Sequence, residues 1–148
     1  MEYTTGRLGR VFVIKFCHND VLLKEIERFS RKEKLKAAVF VFLGAMKQGE
    51  LAAGPQKPVI PPEPNWQRFR GGWEAMGVGT IFANKSGPQI HIHTAMGKKA
   101  RTLTGCVRRE SNVFLVIEAV VFELKGVRAA KEIDSATGIN LLRVFAKA

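Results

Sequence analysis

The sequence predicts an α+β fold in which a mostly antiparallel β-sheet carries one main α-helix. Most of the apolar residues fall in short runs rich in β-branched and aromatic side chains, which are typical of strands. Apolar residues at helical spacing are clear in one segment, residues 19–34. The 148 residues are enough for one hydrophobic core, so we expect a single domain over 1–148.

The first strand and the helix follow one another closely. The segment RVFVIKFC (10–17) indicates a strand, and NDVLLKEIERFSRKEK (19–34) indicates the helix. Asn19 or Asp20 can cap this helix, because both side chains accept hydrogen bonds from free backbone N–H groups. The apolar side of the helix consists of Val21, Leu22, Ile26 and Phe29.

Two strands and a proline-rich loop come next. The segment KAAVFVFL (36–43) predicts a strand that is apolar on both faces, and Gly44 separates it from a second strand, MKQGELAAG (46–54). Five of the six prolines then fall in GPQKPVIPPEP (54–64), where they remove the N–H groups that a helix or sheet would need. We therefore expect residues 54–64 to form a loop within the domain.

The second half of the chain is a succession of strands. In WEAMGVGTIFA (73–83), two glycines indicate a bulge or a close approach of the backbone to a neighbour. A DSATG turn (134–138) precedes the last segment. The other strand-like segments are QIHIHTAMG (89–97), TLTGCV (102–107), VFLVIEAVVFEL (113–124), VRAAKEI (127–133) and INLLRVFA (139–146).

The composition favours a soluble, cytoplasmic protein with no membrane segment. Met1 is followed by a polar stretch and not by a signal peptide. The longest apolar run, VFLVIEAVVF, has ten residues and contains Glu118, so it is too short and too polar to span a bilayer. The two cysteines make a disulfide framework improbable, which fits a reducing compartment.

The chain is strongly basic, with 24 Lys and Arg residues against 13 Asp and Glu and a formal charge of +11. Such a charge attracts nucleic acid and other polyanions. The cations are spread along the sequence, which favours a generic basic surface over a dedicated nucleic-acid site. Lys98, Lys99 and Arg101 crowd one turn and are the candidate polyanion contacts. We expect any nucleic-acid binding to be weak and independent of sequence.

Two histidines one residue apart indicate a metal site. In a strand, His91 and His93 point to the same face, with Cα atoms roughly 6.5 Å apart. If the GKKAR turn is centred between residues 99 and 100, Cys106 lies opposite His93. Two imidazoles and a thiolate, with a fourth position open, are ligands typical of zinc or another divalent transition metal. The alternative is two partly exposed histidines beside a buried, inert thiol.

Two carboxylates are candidates for a supporting role at this site. Glu118 lies in an apolar strand, where a carboxylate must be paired or hydrogen-bonded. It is either a buried partner for a cation such as Arg101 or a group that orients a ligating histidine. Glu74, on the glycine-containing strand, is a weaker candidate of the same kind.

The same residues resemble those of a known family. The motifs GPQIHIHTAMG and TLTGCV, preceded by FLGAMKQGEL and followed by FLVIEAVVFEL, are similar to the plant and prokaryote conserved domain, or PPC domain. The likeness runs from about Gly9 to the end of the chain. It implies a stand-alone domain with a metal site on its sheet, made of an HxH pair and a further histidine after a glycine pair. Here Cys106 occupies that further position.

The resemblance also bears on assembly and on nucleic acid. It implies a homotrimer, which agrees with strands that are apolar on both faces and leave one sheet face to be buried against another subunit. Plant members carry an AT-hook before this domain and bind DNA. The segment RLGR (7–10) lacks the proline that shapes such a hook.

Two classes of function are consistent with these features. The first is a trimeric metal-binding domain with a regulatory or DNA-associated role, and it is the one we prefer. The second is a metal-dependent enzyme, in which the open coordination position polarises a small substrate or activates water. The enzyme interpretation lacks a clear acid–base residue, since both histidines would be ligands and only Glu118 and Glu74 would remain.

Overall fold

A computed structural model describes residues 1–145 of the chain and confirms the α+β fold with a mainly antiparallel sheet. The predicted last strand, 139–146, and the predicted domain, 1–148, extend into 146–148, which lie outside the described residues. The elements are β1 (Arg7–Cys17), α1 (Leu22–Lys32), β2 (Ala37–Pro55), β3 (Pro64–Phe82), β4 (Ile90–Lys98), β5 (Arg101–Val107), β6 (Asn112–Lys125), β7 (Ala129–Ile133) and β8 (Asn140–Val144).

The main sheet has six strands in the order β1-β6-β2-β3-β4-β5, and all pairs are antiparallel. The end of β2 also pairs with β5, through Leu51–Val107 and Ala52–Cys106, so the β2–β5 part of the sheet curls back on itself. Strands β7 and β8 form a separate two-stranded sheet. Among residues 1–145, no helix has the length and apolar character needed to cross a membrane.

One prediction about the strands is wrong. The chain does not break at Gly44, and β2 runs without interruption for 19 residues. Gly44 has a φ of +142°, and the pairing with β6 shifts register between Gly44 and Ala45. A glycine at a bulge lets the strand bend and continue. The proline-rich loop joins β2 to β3, which pair as far as Pro55 and Pro64.

The helix begins later than predicted, and its predicted cap is absent. Val21 is the N-cap residue, and no side chain caps the helix. The Asp20 carboxylate instead accepts a hydrogen bond from the backbone N–H of Cys17, at 2.8 Å. That bond closes the turn that follows β1. The helix buries Leu22 and Ile26, as its apolar spacing predicts.

The hydrophobic core lies between α1 and one face of the sheet. Gly77 and Gly79 of β3 lie against the rings of Phe42 and Phe40, and a Cβ atom on either glycine would overlap the ring. The register around both glycines is continuous. The glycines therefore serve a close approach, one of the two predicted alternatives. The core includes Phe16, Leu22, Ile26, Phe40, Phe42, Ile81, Ile92, Ile117 and Val121.

The opposite face of the sheet exposes many apolar side chains. One row across it consists of successive Cα partners, Val13, Val120, Val41, Val78 and His93. Of these, Val13 is 83% exposed, and Val41 and Val78 are about half exposed. Leu43 and Met76 lie beside this row and are also exposed. We call this surface the apolar row. Both faces of β2 are thus apolar, as predicted.

Candidate metal centre

Strand β4 places the two histidines on one face. Ile92 lies between them and is fully buried, which fixes the orientation of the strand. The His91 and His93 rings have centroids 4.9 Å apart and are nearly perpendicular, at 87°. His91 is half-buried and His93 is exposed, at the end of the apolar row. Two imidazoles this close can bind one ion.

Cys106 completes a group of three. It is the Cα partner of His93, which confirms the predicted hairpin register, and it also pairs with Ala52 of β2. Its side chain is buried. The ligand atoms of His91, His93 and Cys106 all lie within 4.8 Å of one another. Within residues 1–145, this is the one cluster of its kind.

The surroundings keep His91 neutral. Burial lowers the pKa of His91 to about 4, and the nearby charges of Lys131, His93 and Arg108 act in the same direction. A neutral imidazole has a free electron pair on one ring nitrogen, which a metal ion requires. His91 is therefore ready to bind a metal at neutral pH without first losing a proton.

The Cys106 thiol is held in its protonated form by burial, which raises its pKa. Arg108, the Ile92 backbone and Lys131 act against this effect and favour the thiolate. A metal ion adds a much stronger positive charge and deprotonates a coordinating thiol. Two nitrogens and one sulfur are ligands that zinc accepts, so the residues present fit a zinc-type ion.

Two cations lie next to the three candidate ligands, and the sequence analysis did not place them there. Lys131 of β7 is only 9% exposed, and Arg108 follows β5 directly. Burial lowers the pKa of Lys131, whereas the charge of Cys106 acts to raise it. The Asn84 side chain donates a hydrogen bond to the Lys131 backbone carbonyl at 2.9 Å and ties β7 to the β3–β4 connection. Nothing in VRAAKEI indicates that it packs against β3 and the β3–β4 connection.

The two candidate carboxylates do not reach the metal ligands. Glu118 is exposed, not buried, and pairs with Lys15 and Leu43. It lies three strand spacings, about 14 Å, from β4. Its proposed partner, Arg101, instead lies over the Trp73 ring, 5.8 Å from the centroid. The prediction of a buried ion pair is therefore wrong.

Glu74 is also exposed and remote from the ligands. It is the partner of Gly97, four residues along β3 from Val78, which faces His93. Four residues of strand correspond to about 13 Å. Within one chain, neither carboxylate can orient a ligating histidine.

The candidate polyanion contacts lie at the β4–β5 turn. Lys98 pairs with Arg101, and Lys99 forms the turn with a φ of +54°. The Lys98 ammonium lies 5.9 Å from the centroid of the Trp73 ring. Lys98 precedes the turn and Arg101 follows it, so both cations lie near the same ring. Lys99 and Arg101 are exposed and Lys98 is partly exposed. The three cations are accessible to a polyanion from solvent.

Comparison with known proteins establishes the family. The sequence profile of the Plants and Prokaryotes Conserved (PCC) domain matches residues 3–125. The chain therefore belongs to the PCC family, the family whose PPC motifs the sequence resembles. None of the curated proteins matches the chain.

Several solved structures share the fold. A plant- and prokaryote-conserved protein from Pyrococcus horikoshii is 21% identical, with a TM-score of 0.84 over 99% of this chain and 100% of that one. A metal-containing protein from Archaeoglobus fulgidus is 22% identical, with a TM-score of 0.83 over 95% and 98%. A "putative DNA-binding protein" from Ralstonia eutropha is 18% identical, with a TM-score of 0.71 over 89% and 90%. At these identities the likeness establishes the fold alone.

Proposed function

We propose that this protein is a metal-binding PCC domain in which His91, His93 and Cys106 hold one divalent ion, zinc above others. The observation that carries the proposal is the convergence of the three ligand atoms within 4.8 Å of one another. The description of the Archaeoglobus fulgidus protein as metal-containing supports it. A bound zinc ion would supply a Lewis acid with an open coordination position.

The deciding experiment is elemental analysis of the untagged protein, purified without chelator and without added metal. We expect close to one ion per chain, and zinc as the main element. Protein dialysed against a chelator and then against trace zinc should recover the same content. A content near zero in both preparations would contradict the proposal.

We propose further that the chain is a homotrimer with a regulatory or DNA-associated role. The apolar row supports the assembly, because a monomer rarely leaves so many contiguous apolar side chains exposed. The description of the Ralstonia eutropha protein supports the DNA association. The PCC domain itself is consistent with both.

The trimer gives a direct prediction about mass. Light scattering at micromolar concentration should give three times the mass of one chain. Val41→Glu and Leu43→Glu place a carboxylate on the exposed apolar face of β2, so they should lower the mass to that of one chain. Ser135→Glu, an equally exposed position in the β7–β8 turn, should leave it unchanged. A single-chain mass for the unmodified protein would contradict the proposal.

Any binding of nucleic acid should be weak and driven by charge. Because each phosphate contact releases counterions, the affinity should fall by orders of magnitude between about 50 and 200 mM salt. Charge reversal at Lys98, Lys99 and Arg101 should weaken binding to AT-rich and GC-rich duplexes equally. A competition titration at physiological salt measures this. A preference of about a hundredfold for one duplex would reveal a base-reading element and overturn the prediction.

An enzymatic role is the weaker alternative. It would need a proton donor or acceptor beside the metal, and Glu118 and Glu74 both lie more than about 10 Å from the ligands by strand geometry. The charged neighbours of the site are instead two cations, Lys131 and Arg108. We therefore prefer the binding role.

A further inference from the structure

Most of the Lys131 side chain is buried, and within residues 1–145 it has no counter-charge. Seven ion pairs occur among residues 1–145, and neither Lys131 nor Arg108 takes part in any of them. The neighbouring carboxylate, Glu132, is paired with Arg143 at 2.9 Å. No side-chain hydrogen bond of Lys131 occurs in the same part of the chain, and only its backbone carbonyl accepts one. The Lys131 ammonium is not among the fully buried polar atoms that lack a hydrogen bond, so the charged end reaches solvent while the chain is buried.

The two cations face the metal ligands. Arg108 lies two residues after Cys106 and extends the pairing of that strand with β2, to which its backbone N–H donates a hydrogen bond at 2.9 Å. Asn84 ties Lys131 to the β3–β4 connection, which leads directly into the strand of His91. The charges of both cations act on His91 and on the Cys106 thiol. They come from different parts of the chain, Lys131 from β7 and Arg108 from the residue that follows β5. Their approach is therefore a product of the fold and not of adjacent positions in the sequence.

A bound metal would increase the positive charge of this site. A divalent ion held by one thiolate and two neutral imidazoles keeps one positive charge, and Lys131 and Arg108 add two more. A water molecule in the fourth position would leave all of this charge uncompensated. Concentrated positive charge in a partly desolvated site attracts an anion strongly. Within one chain the site opens to solvent at His93, which is exposed, whereas Cys106 is buried.

We propose that the fourth coordination position takes an anionic oxygen ligand, a carboxylate or a phosphate, and that Lys131 and Arg108 bind its remaining oxygen atoms. This inference rests on the proposed metal centre. A carboxylate or phosphate has at least two acceptor oxygens, so one can bind the metal while another accepts hydrogen bonds from the ammonium or the guanidinium. The ligand class is thus a small molecule bearing such a group.

The test uses the full chain loaded with cobalt(II), which occupies zinc sites and reports its ligands through visible absorption. Acetate and inorganic phosphate are titrated separately, with perchlorate keeping the ionic strength constant. We expect saturable changes in the cobalt spectrum. The two titrations show whether the site prefers the carboxylate or the phosphate.

Variants of Lys131 separate its role from that of the metal ligands. Lys131→Met keeps an unbranched buried chain without the charge, and it should raise the anion Kd at least tenfold, about 1.4 kcal/mol. In anion-free buffer the same variant should bind the metal more tightly, because a repelling cation has gone. Lys131→Arg should retain most of the anion affinity. Lys24→Met, the same change at an exposed position on α1, should alter neither constant.

The outcomes distinguish this inference from the proposed function. If the spectrum of the cobalt-loaded protein does not change with acetate or phosphate, the proposed anion site is wrong, whereas the proposed metal centre still stands. Equal anion affinity in the unmodified protein and Lys131→Met would overturn the assignment of Lys131. Failure to bind metal at all would overturn the metal centre and the anion site together. The opposite shifts of metal and anion affinity in Lys131→Met cannot arise from a partly unfolded variant.

Discussion

Replacing Cys106 with alanine should raise the Kd of the metal by at least about 100-fold and leave the purified protein nearly metal-free. The thiolate is the one anionic ligand of the three, so its loss removes the charge that attracts the ion as well as a bond. His91→Ala should have a similar effect, because His91 is neutral and available at neutral pH. Elemental analysis and competition with a chromophoric chelator measure both results.

The chain offers a matched control for this experiment. Cys17 is the other cysteine, lies on β1 and is exposed, so Cys17→Ala should leave the metal content unchanged. Circular dichroism should show that all the variants keep their strand content. Unchanged metal content in both Cys106→Ala and His91→Ala would eliminate the centre as described.

The second large effect is on stability. Gly79→Ala should lower the free energy of unfolding by about 2 kcal/mol or more, because the added methyl group overlaps the buried Phe40 ring. Gly79 is the Cα partner of Ile92, between the two histidines, so the strain falls directly behind the candidate metal centre. Urea denaturation at one protein concentration, with comparison of midpoints and slopes, measures the change.

Two further variants test whether the Phe40 ring causes the loss of stability in Gly79→Ala. Gly97→Ala, on β4, adds a methyl group with no atom within 4 Å and should alter stability by less than about 0.5 kcal/mol. In a double-mutant cycle, Phe40→Leu should relieve the overlap and give a coupling energy of at least about 1 kcal/mol with Gly79→Ala. If the two substitutions change the free energy of unfolding additively, the Phe40 ring is not the cause of the destabilisation by Gly79→Ala.

Local pattern was sufficient to predict that the three candidate ligands lie together. The alternation of strand residues places His91 and His93 on one face, and the turn at Lys99 fixes Cys106 opposite His93. Both inferences use contacts between residues close in the sequence. For Gly77 and Gly79 the sequence predicted either a bulge or a close approach, and the structure shows the close approach.

Errors arose where the fold depends on distant contacts. Glu118 lies in a strand that is apolar on both faces, so the sequence does not reveal which face is the core. Glycine is disfavoured within strands, so a strand end was predicted at Gly44. Pairing with both β3 and β6 instead keeps the chain extended through this residue. Lys131 belongs to a short strand whose position against β3 is set by tertiary packing, with Asn84 as one anchor. None of these contacts leaves a local pattern.

The position of β6 within the sheet has a consequence for how the chain folds as it is synthesised. Strand β1 is made first, yet its sheet partner is β6, which follows about a hundred residues later. At roughly 5–20 residues per second, β1 would wait on the order of 5–20 s for that partner on a ribosome. The β2–β3 and β4–β5 hairpins need only neighbouring residues and can form earlier. Insertion of β6 between β1 and β2 is then the step that joins the N-terminal strand to the rest of the sheet.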